Sequence, residues 1–88
     1  MRDERIIAAR LEVRGSGLGA VFRGFAEDRL RRYGLEGAVS AGATRAEIRV
    51  RGPAALVDML EVACLLGPAQ SLVESCAVVP DPHGTPLA

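Results

Sequence analysis

The sequence lacks several features by which common classes of protein are recognised. It has no lysine and no tryptophan, and its only aromatic residues are Phe22, Phe25 and Tyr33. Its longest unbroken apolar run, Val62 to Leu66, is too short to span a membrane. All eleven basic residues are arginine, and eleven acidic residues balance them, so no net charge directs the chain to nucleic acid or an anionic membrane. Genome base composition is the simplest explanation of the arginine bias.

Cysteine and histidine are also scarce. Cys64 and Cys76 are too far apart for a CxxC redox or zinc pair and too few for a disulfide scaffold, so we interpret them as buried, unreactive thiols. The single histidine, His83, lies near the C-terminus and gives no support to a metal site. The chain starts MRDER, with acids where a signal peptide needs an apolar stretch, and we therefore expect a cytoplasmic protein.

Length and composition together predict one globular domain. The chain has 88 residues, of which 49% are hydrophobic and 25% charged, and a chain this short cannot support two separate cores. We expect residues 1–88 to form a single domain with a folded core over about 5–79. The segment 80–88 contains three prolines and a glycine, and we expect it to be a flexible tail.

Periodicity and turn residues predict six elements in the order βαββαβ. The predicted elements are a strand over 6–14, a helix from the glycine-rich stretch 15–19 to Gly34, strands over 35–41 and 45–51, a helix between Gly52-Pro53 and Gly67-Pro68, and a strand over about 72–79. This order predicts an α+β, ferredoxin-like (split βαβ) sandwich, in which a four-stranded antiparallel sheet carries both helices on one face.

The second predicted helix is apolar on more than one side. We expect Leu56, Met59, Leu60 and Ala63 to line its inner face. The further apolar residues indicate either burial against a partner or a second copy of the chain, or a crowded core that leaves one or two aliphatic side chains exposed. A homodimer through this helix is therefore one expectation.

The glycine-rich stretch 15–19 lies between a strand and a helix, which is a geometry that suits an anion. Such a loop leaves backbone N–H groups free, and the start of the helix adds a partial positive charge. Arg23 follows closely and could hold two phosphate oxygens in a bidentate fork. The alternative is that the glycines serve close packing and that Arg23 is a solvated surface residue.

The same stretch also fits a dinucleotide-binding fingerprint. Residues 15–20 satisfy G-x-G-x-x-G/A, and Glu36 follows about twenty residues later. A dinucleotide domain needs more strands and crossover helices than this chain can hold, and its second and third strands are joined by a short turn. We therefore do not favour this interpretation.

Four stretches resemble the acylphosphatase family. Residues 13–25 (VRGSGLGAVFRGF) resemble the signature V-x-G-x-V-Q-G-V-x-F-R-x-F, and residues 33–39 (YGLEGAV) resemble L-G-L-x-G-W-V. Residues 51–53 (RGP) and 67–68 (GP) resemble the E-G-P before and the G-P after the family's second helix. The resemblance covers about residues 8–79.

This resemblance implies a fold, a reaction and a set of site residues. Acylphosphatases hydrolyse the carboxyl–phosphate bond of small acyl phosphates without a metal or cofactor. The arginine that binds the phosphoryl group falls on Arg23, and the loop amides that bind it with Arg23 fall on Gly15, Ser16, Gly17, Leu18, Gly19, Ala20 and Val21. Catalysis then depends on positioning and on stabilisation of the phosphoryl charge.

The sequence departs from the family pattern at one catalytic position. The asparagine that holds the attacking water falls on Ala41, whose methyl group cannot orient water. Loss of one preorganised hydrogen-bonding group lowers turnover by about a hundred- to a thousandfold. Ser40 points to the opposite face of the strand, and Thr44 could reach back from the turn. Gly17, Leu18 and Ala20 also replace the family's Val, Gln and Val. We therefore expect a degenerate active site with weak or no hydrolase activity, or a non-catalytic anion-binding module.

The exposed face of the predicted sheet gives little support to RNA binding. RNA-binding sheets of this topology present aromatic side chains for base stacking, and no predicted strand here contains one. The open face instead carries interleaved charges, which we expect to form a solvated surface with modest cross-strand pairing: Arg10, Glu12, Arg14, Arg45, Glu47, Arg49 and Arg51.

Overall fold

The computed structural model describes residues 5–81, which fold into the six elements in the expected order. The elements are β1 (Ile6–Ser16), α1 (Gly19–Arg32), β2 (Glu36–Ala41), β3 (Arg45–Pro53), α2 (Ala54–Leu66) and β4 (Leu72–Pro80). The strands pair antiparallel in the order β2-β3-β1-β4. The predicted α+β ferredoxin-like sandwich is thus confirmed. The predicted tail, apart from Pro80 and Asp81, lies outside the described residues.

Strand β1 is the centre of the sheet because it pairs with both β3 and β4. Buried and exposed side chains alternate along β1 as expected. Leu11 and Val13 are buried against the helices, whereas Glu12 and Arg14 are exposed on the open face. Near the N-terminal end of β1, the Asp81 amide donates to the Ala8 carbonyl at 3.1 Å. Hydrogen bonding between β1 and the chain that follows β4 therefore continues one residue beyond the end of β4. The core lies between this strand, β3 and the inner faces of the two helices.

Helix α1 is amphipathic, and its end is defined by a glycine. Phe22, Ala26 and Leu30 recur every four residues and are buried. Gly34 has a positive φ of 66°, its amide donates to the Arg31 carbonyl, and the Leu35 amide donates to the Leu30 carbonyl. These two bonds are the Schellman pattern, in which a left-handed residue satisfies the last carbonyls of a helix. The assignment of Gly34 as the residue that ends the helix is confirmed.

Helix α2 packs against the sheet on a different face from the one predicted. The buried residues are Ala54, Val57, Leu60 and Cys64. Of the four predicted inner residues only Leu60 is fully buried, and Met59 is 49% exposed. The prediction was wrong because this helix is apolar on several sides, so hydrophobic spacing alone does not select one inner face.

The two cysteines differ in environment. Cys64 is buried as expected, but Cys76 on β4 is only partly covered, so for Cys76 that expectation is wrong. Burial raises the pKa of the Cys64 thiol to about 12 and that of the Cys76 thiol to about 11. Charge on Cys76 adds to the effect at Cys64, and Glu61 adds to it at Cys76. Both thiols are therefore protonated and poorly nucleophilic at neutral pH.

Candidate functional site

The last turn of chain before the loop between β1 and α1 contains a position that accepts only glycine, Gly15 near the end of β1. The pairing of β1 with β4 shifts register between Arg14 and Gly15. A Cβ atom on Gly15 would collide with the backbone carbonyl of Leu72. The missing side chain therefore lets β4 approach the end of β1 closely, just before the loop.

Two further glycines set the course of the loop. Gly17 and Gly19 have positive φ angles of 63° and 53°, a region that residues with a Cβ atom rarely adopt. The Ser71 hydroxyl donates to the Gly17 carbonyl at 2.8 Å, which ties the loop to the segment before β4. Leu18, between the two glycines, is buried and offers no side-chain cap to the helix.

The turn between β2 and β3 holds the loop from the other side. Three loop amides donate to three successive turn carbonyls: Gly15 to Thr44 at 3.1 Å, Leu18 to Ala43 at 3.0 Å and Gly19 to Gly42 at 2.9 Å. These bonds fix the loop relative to the end of β2. They also occupy three of the amides that the family resemblance assigns to phosphate binding.

Other loop amides remain available as donors. The first hydrogen bond within α1 runs from the Phe22 amide to the Leu18 carbonyl at 3.2 Å, so the amides of Ala20 and Val21 have no acceptor inside the helix. The Gly17 amide has no backbone acceptor within residues 5–81. Ser16 belongs to the β1–β4 ladder. Since the first turn of α1 also contains no acidic residue, its partial positive charge is not neutralised.

Arg23 lies at the start of the second turn of α1, one turn away from these amides. Its side chain is 60% exposed, and its Nε lies 3.3 Å from Oε2 of Glu27. The guanidinium thus faces the C-terminal side of the helix in this structure. An anion in the loop would compete with Glu27 for it. An arginine and a glutamate four residues apart on a helix commonly form an ion pair, so the sequence alone could have predicted the pair of Arg23 and Glu27.

Ala41 lies at the end of β2, directly before the turn that holds the loop. It is opposite Ala46 on the core side of the sheet and is partly buried there. Ser40 is opposite Glu47 on the open face, so its hydroxyl lies on the other side of the strand. Thr44 is exposed, and its carbonyl accepts the Gly15 bond. The side chain next to the loop at this strand end is therefore a methyl group.

The open face of the sheet carries the predicted charges, but the charged residues that are directly opposite across β1 and β3 have the same sign. Across β2 and β3, Arg51 is opposite Glu36. The register pairs Arg10 with Arg49, Glu12 with Glu47, and Arg14 with Arg45. On β1 and β3, opposite charges therefore meet along a strand or diagonally across the pair: Arg10 lies 3.0 Å from Glu12 and 4.0 Å from Glu47. Among the residues that the structure describes, Arg14 and Arg45 have no acidic partner within 4 Å. None of the four strands in the described part of the chain carries an aromatic side chain.

No helix within residues 5–81 is long and apolar enough to cross a membrane. The same residues contain no group of three or more His, Cys, Asp or Glu side chains that could hold a metal ion.

Comparison with known proteins identifies the architecture. No protein-family model matches the chain, and no curated protein matches it. An acylphosphatase from Coxiella burnetii superposes with a TM-score of 0.79 at 18% identity, over 92% of this chain and 86% of that one. An acylphosphatase from Bacillus subtilis superposes with a TM-score of 0.77 at 25% identity, over 89% of this chain and 87% of that one. The fold is that of the acylphosphatases. The fold implied by the sequence motifs is thereby confirmed.

Within the acylphosphatase fold, the structure brings the candidate residues to one end of the sheet. The loop, the start of α1 and the end of β2 meet there through the bonds to the turn 42–44. Arg23 lies on the adjoining helix with its side chain directed to Glu27. The sequence did not indicate that the turn carbonyls bind the loop amides.

Proposed function

We propose that this protein binds the phosphoryl group of small acyl phosphates in the loop of residues 15–21 and hydrolyses their carboxyl–phosphate bond weakly or not at all. The observation that carries the proposal is the contrast at one end of the sheet. The amides of Gly17, Ala20 and Val21 have no backbone acceptor among residues 5–81 and lie at a helix N-terminus, in a loop that is bonded to the turn 42–44. Ala41, the position that the family resemblance assigns to the water-holding asparagine, carries only a methyl group at the adjoining strand end.

Binding uses two kinds of donor. The free amides donate to phosphoryl oxygens at the positive end of α1, where an anion is favoured. Arg23 contributes once its guanidinium leaves Glu27 and turns toward the loop, where its planar fork can donate to two oxygens. No group in this arrangement needs to transfer a proton in order to bind the ligand.

Hydrolysis requires a water molecule in line with the bond that breaks. A bond forms between the water oxygen and phosphorus, the bond from phosphorus to the carboxyl oxygen breaks, and a carboxylate and inorganic phosphate leave. The loop and Arg23 stabilise the charge on the phosphoryl oxygens, but nothing at Ala41 orients the water. We expect turnover about a hundred- to a thousandfold below that of an acylphosphatase with the asparagine.

The second candidate is an anion-binding module with no turnover. The same free amides support it, because they need no side chain at position 41 in order to bind phosphate. The two candidates differ only in whether bound acyl phosphate is hydrolysed faster than in solution.

Hydrolysis of benzoyl phosphate tests the catalytic part of the proposal. We expect slow turnover that Arg23→Ala abolishes and that Ala41→Asn raises by about a hundredfold or more. Ser40→Asn is the matched control, since it introduces the same side chain one residue away on the opposite face of β2. Wild-type turnover equal to that of an ordinary acylphosphatase would overturn the proposed defect, and equal effects of the two asparagine variants would overturn the role of position 41.

Binding is tested separately from turnover by adding inorganic phosphate and following the backbone amide resonances. We expect the largest shifts at Gly17, Ala20 and Val21, and smaller ones at Leu18 and Gly19, whose amides are bonded to the turn. Unchanged resonances throughout residues 15–23 would refute phosphate binding at this loop.

A further inference from the structure

Two arginines lie side by side on the open face of the sheet, at the end nearest the turn between β2 and β3. Arg14 of β1 is directly opposite Arg45 of β3. Beyond this pair, the Gly15 amide donates to the Thr44 carbonyl. Bonded and non-bonded pairs alternate along an antiparallel ladder, so the two arginines form a non-bonded pair, in which opposed side chains are closest. Two positive charges are therefore held next to each other.

The acids beside this pair are engaged by a different arginine. Glu12 and Glu47 are directly opposite each other, two residues further along the two strands. Arg10 lies 3.0 Å from Glu12 and 4.0 Å from Glu47, so one arginine contacts both carboxylates. In the described part of the chain, neither Arg14 nor Arg45 has an acidic side chain within 4 Å. The fold thus leaves two adjacent positive charges without a partner.

The two arginines line a depression that also offers uncharged donors. Its volume is about 520 Å³, and the turn residues Ala43 and Thr44 line it together with Arg14 and Arg45. The carbonyls of these two turn residues accept hydrogen bonds from the loop, whereas their amides have no backbone acceptor among residues 5–81. Guanidinium groups, a hydroxyl and backbone amides are all groups that donate to an anion.

We propose that this depression binds a single phosphate dianion of a small molecule, held between the guanidinium groups of Arg14 and Arg45. The two charges of the dianion match the two unpaired arginines, and its oxygens can accept from both planar forks. A carboxylate has only two oxygens and one charge, so it occupies one fork and leaves the other unpaired. The site is separate from the loop of residues 15–21, and the proposal does not depend on phosphate binding there.

The surroundings favour one phosphate group over a nucleic-acid backbone. Glu12 and Glu47 also line the depression. A chain of phosphates that ran along the sheet would place its next phosphate against these carboxylates. The four described strands also carry no aromatic side chain on which a base could stack. A small phosphate ester meets neither obstacle.

The exposed position predicts weak, salt-dependent binding. Arg14 and Arg45 are both exposed, and the interactions of exposed charges are screened by solvent and salt. For inorganic phosphate at low ionic strength, we expect a dissociation constant of about 1–10 mM. Binding should weaken as the salt concentration rises.

A titration of the full chain with inorganic phosphate tests the site, at constant ionic strength and at about pH 8, where phosphate is mainly a dianion. The readout is the resonances of the arginine Nε groups and of the backbone amides. We expect saturable shifts at Nε of Arg14 and Arg45 and at the amides of residues 43–47. Sodium acetate should bind at least about fivefold more weakly than phosphate, because it occupies a single fork.

The variant Arg45→Gln should weaken phosphate binding at this site at least about fivefold. Arg51→Gln is the matched control, since it removes the same charge from the same exposed face of β3, about 20 Å further along the strand. Arg51 is opposite Ala8 on β1, so no second arginine faces it there. Circular dichroism verifies that both variants are folded.

Four results would overturn the proposal. They are shifts that do not saturate below about 50 mM phosphate, equal weakening by Arg45→Gln and Arg51→Gln, acetate binding as tight as phosphate binding, and tighter binding of a single-stranded oligonucleotide than of phosphate. Arg45→Gln should leave the phosphate-induced shifts of Gly17, Ala20 and Val21 unchanged, and Arg23→Ala should leave those of residues 43–47 unchanged. Failure of this site and failure of the proposed function are therefore distinguishable.

Discussion

Arg23 and Glu27 form an ion pair on the exposed side of α1, with Nε of the arginine 3.3 Å from Oε2 of the glutamate. The pair joins the residue that we propose for phosphate binding to an acid one turn further along the helix. Exposed pairs of this kind stabilise a protein by about 0.2–1 kcal/mol. This energy is small enough for a bound dianion to replace the glutamate as the partner of Arg23.

Removal of Glu27 should therefore tighten phosphate binding. Glu27→Gln frees the guanidinium without shortening the side chain, and we expect the dissociation constant for inorganic phosphate to fall about two- to fivefold at low salt. Asp28→Asn is the control, since it removes the same charge from the next residue, which pairs with Arg31 and Arg32 instead. An equal gain in both variants would mean that net charge, and not the pair with Arg23, sets the affinity.

Two glycine-to-alanine substitutions should change stability in opposite directions. Gly15→Ala places a Cβ atom against the Leu72 carbonyl, and we expect it to lower the free energy of unfolding by about 2 kcal/mol or more. Gly24→Ala lies inside α1, where the new methyl group would have no atom within 4 Å apart from the neighbouring residues and backbone of its own helix. We expect it to raise that free energy by about 0.5–1 kcal/mol. Urea denaturation measures both. If both substitutions lowered the free energy of unfolding by a similar amount, the close contact at Gly15 and the open space at Gly24 would both be contradicted.

The cysteines should make the protein less stable at alkaline pH. Burial raises the pKa of Cys76 to about 11 and that of Cys64 to about 12, whereas a cysteine in an unfolded chain titrates near 8.5. Above pH 8.5 the unfolded chain loses thiol protons that the folded chain keeps, so unfolding becomes more favourable until the pH passes the folded values. We expect a loss of at most about 2 kcal/mol per thiol between pH 8 and pH 10.

The measurement is the urea midpoint at pH 8 and pH 10 in the presence of a reductant. Cys76→Ala should lose less stability over this range than the wild type, because one of the two titrating thiols is absent. The same pH dependence in both proteins would assign the effect to other groups.

The opposed arginines at the end of the sheet offer a stabilising substitution. Arg14 and Arg45 are directly opposite across β1 and β3, and like charges in that position repel. Arg45→Glu should raise the free energy of unfolding by about 0.2–1 kcal/mol at low salt. Arg45→Gln, which only removes the repulsion, should give a smaller gain. The thermal midpoint at low and high salt checks this, and a gain that is independent of salt would show that charge is not its cause.

The parts of the fold that side-chain patterns determine were predictable. The alternation of apolar and polar residues identified β1 as a strand. The glycines and prolines beside the helices marked where the helices begin and end, because these residues restrict the local backbone conformation. The inner face of α2 was not predictable, since Val57 and Met59 are equally apolar and only tertiary packing decides between them. The pairing of Arg14 with Arg45 depends on strand register, which one residue of slip would change.

The candidate site was predictable in part for the same reason. Arg23 and Ala41 were identified by their positions in the motifs. The bonds from Gly15, Leu18 and Gly19 to the turn involve only backbone atoms, and backbone hydrogen bonds leave no side-chain signal in a sequence. Which amides remain free for a ligand is therefore information that only the folded chain supplies.

The position of β1 between β3 and β4 also determines when this protein can fold. Strand β1 can pair only after residues 45–53 and residues 72–80 have been synthesised. Each of these two strand pairings joins residues that are far apart in the sequence and so closes a long loop of chain. Only the β2–β3 hairpin and the two helices consist of local contacts. A nascent chain that still lacks its last strand leaves one edge of the central strand unpaired. We therefore expect folding in milliseconds to seconds, with completion only after β4 has left the ribosome.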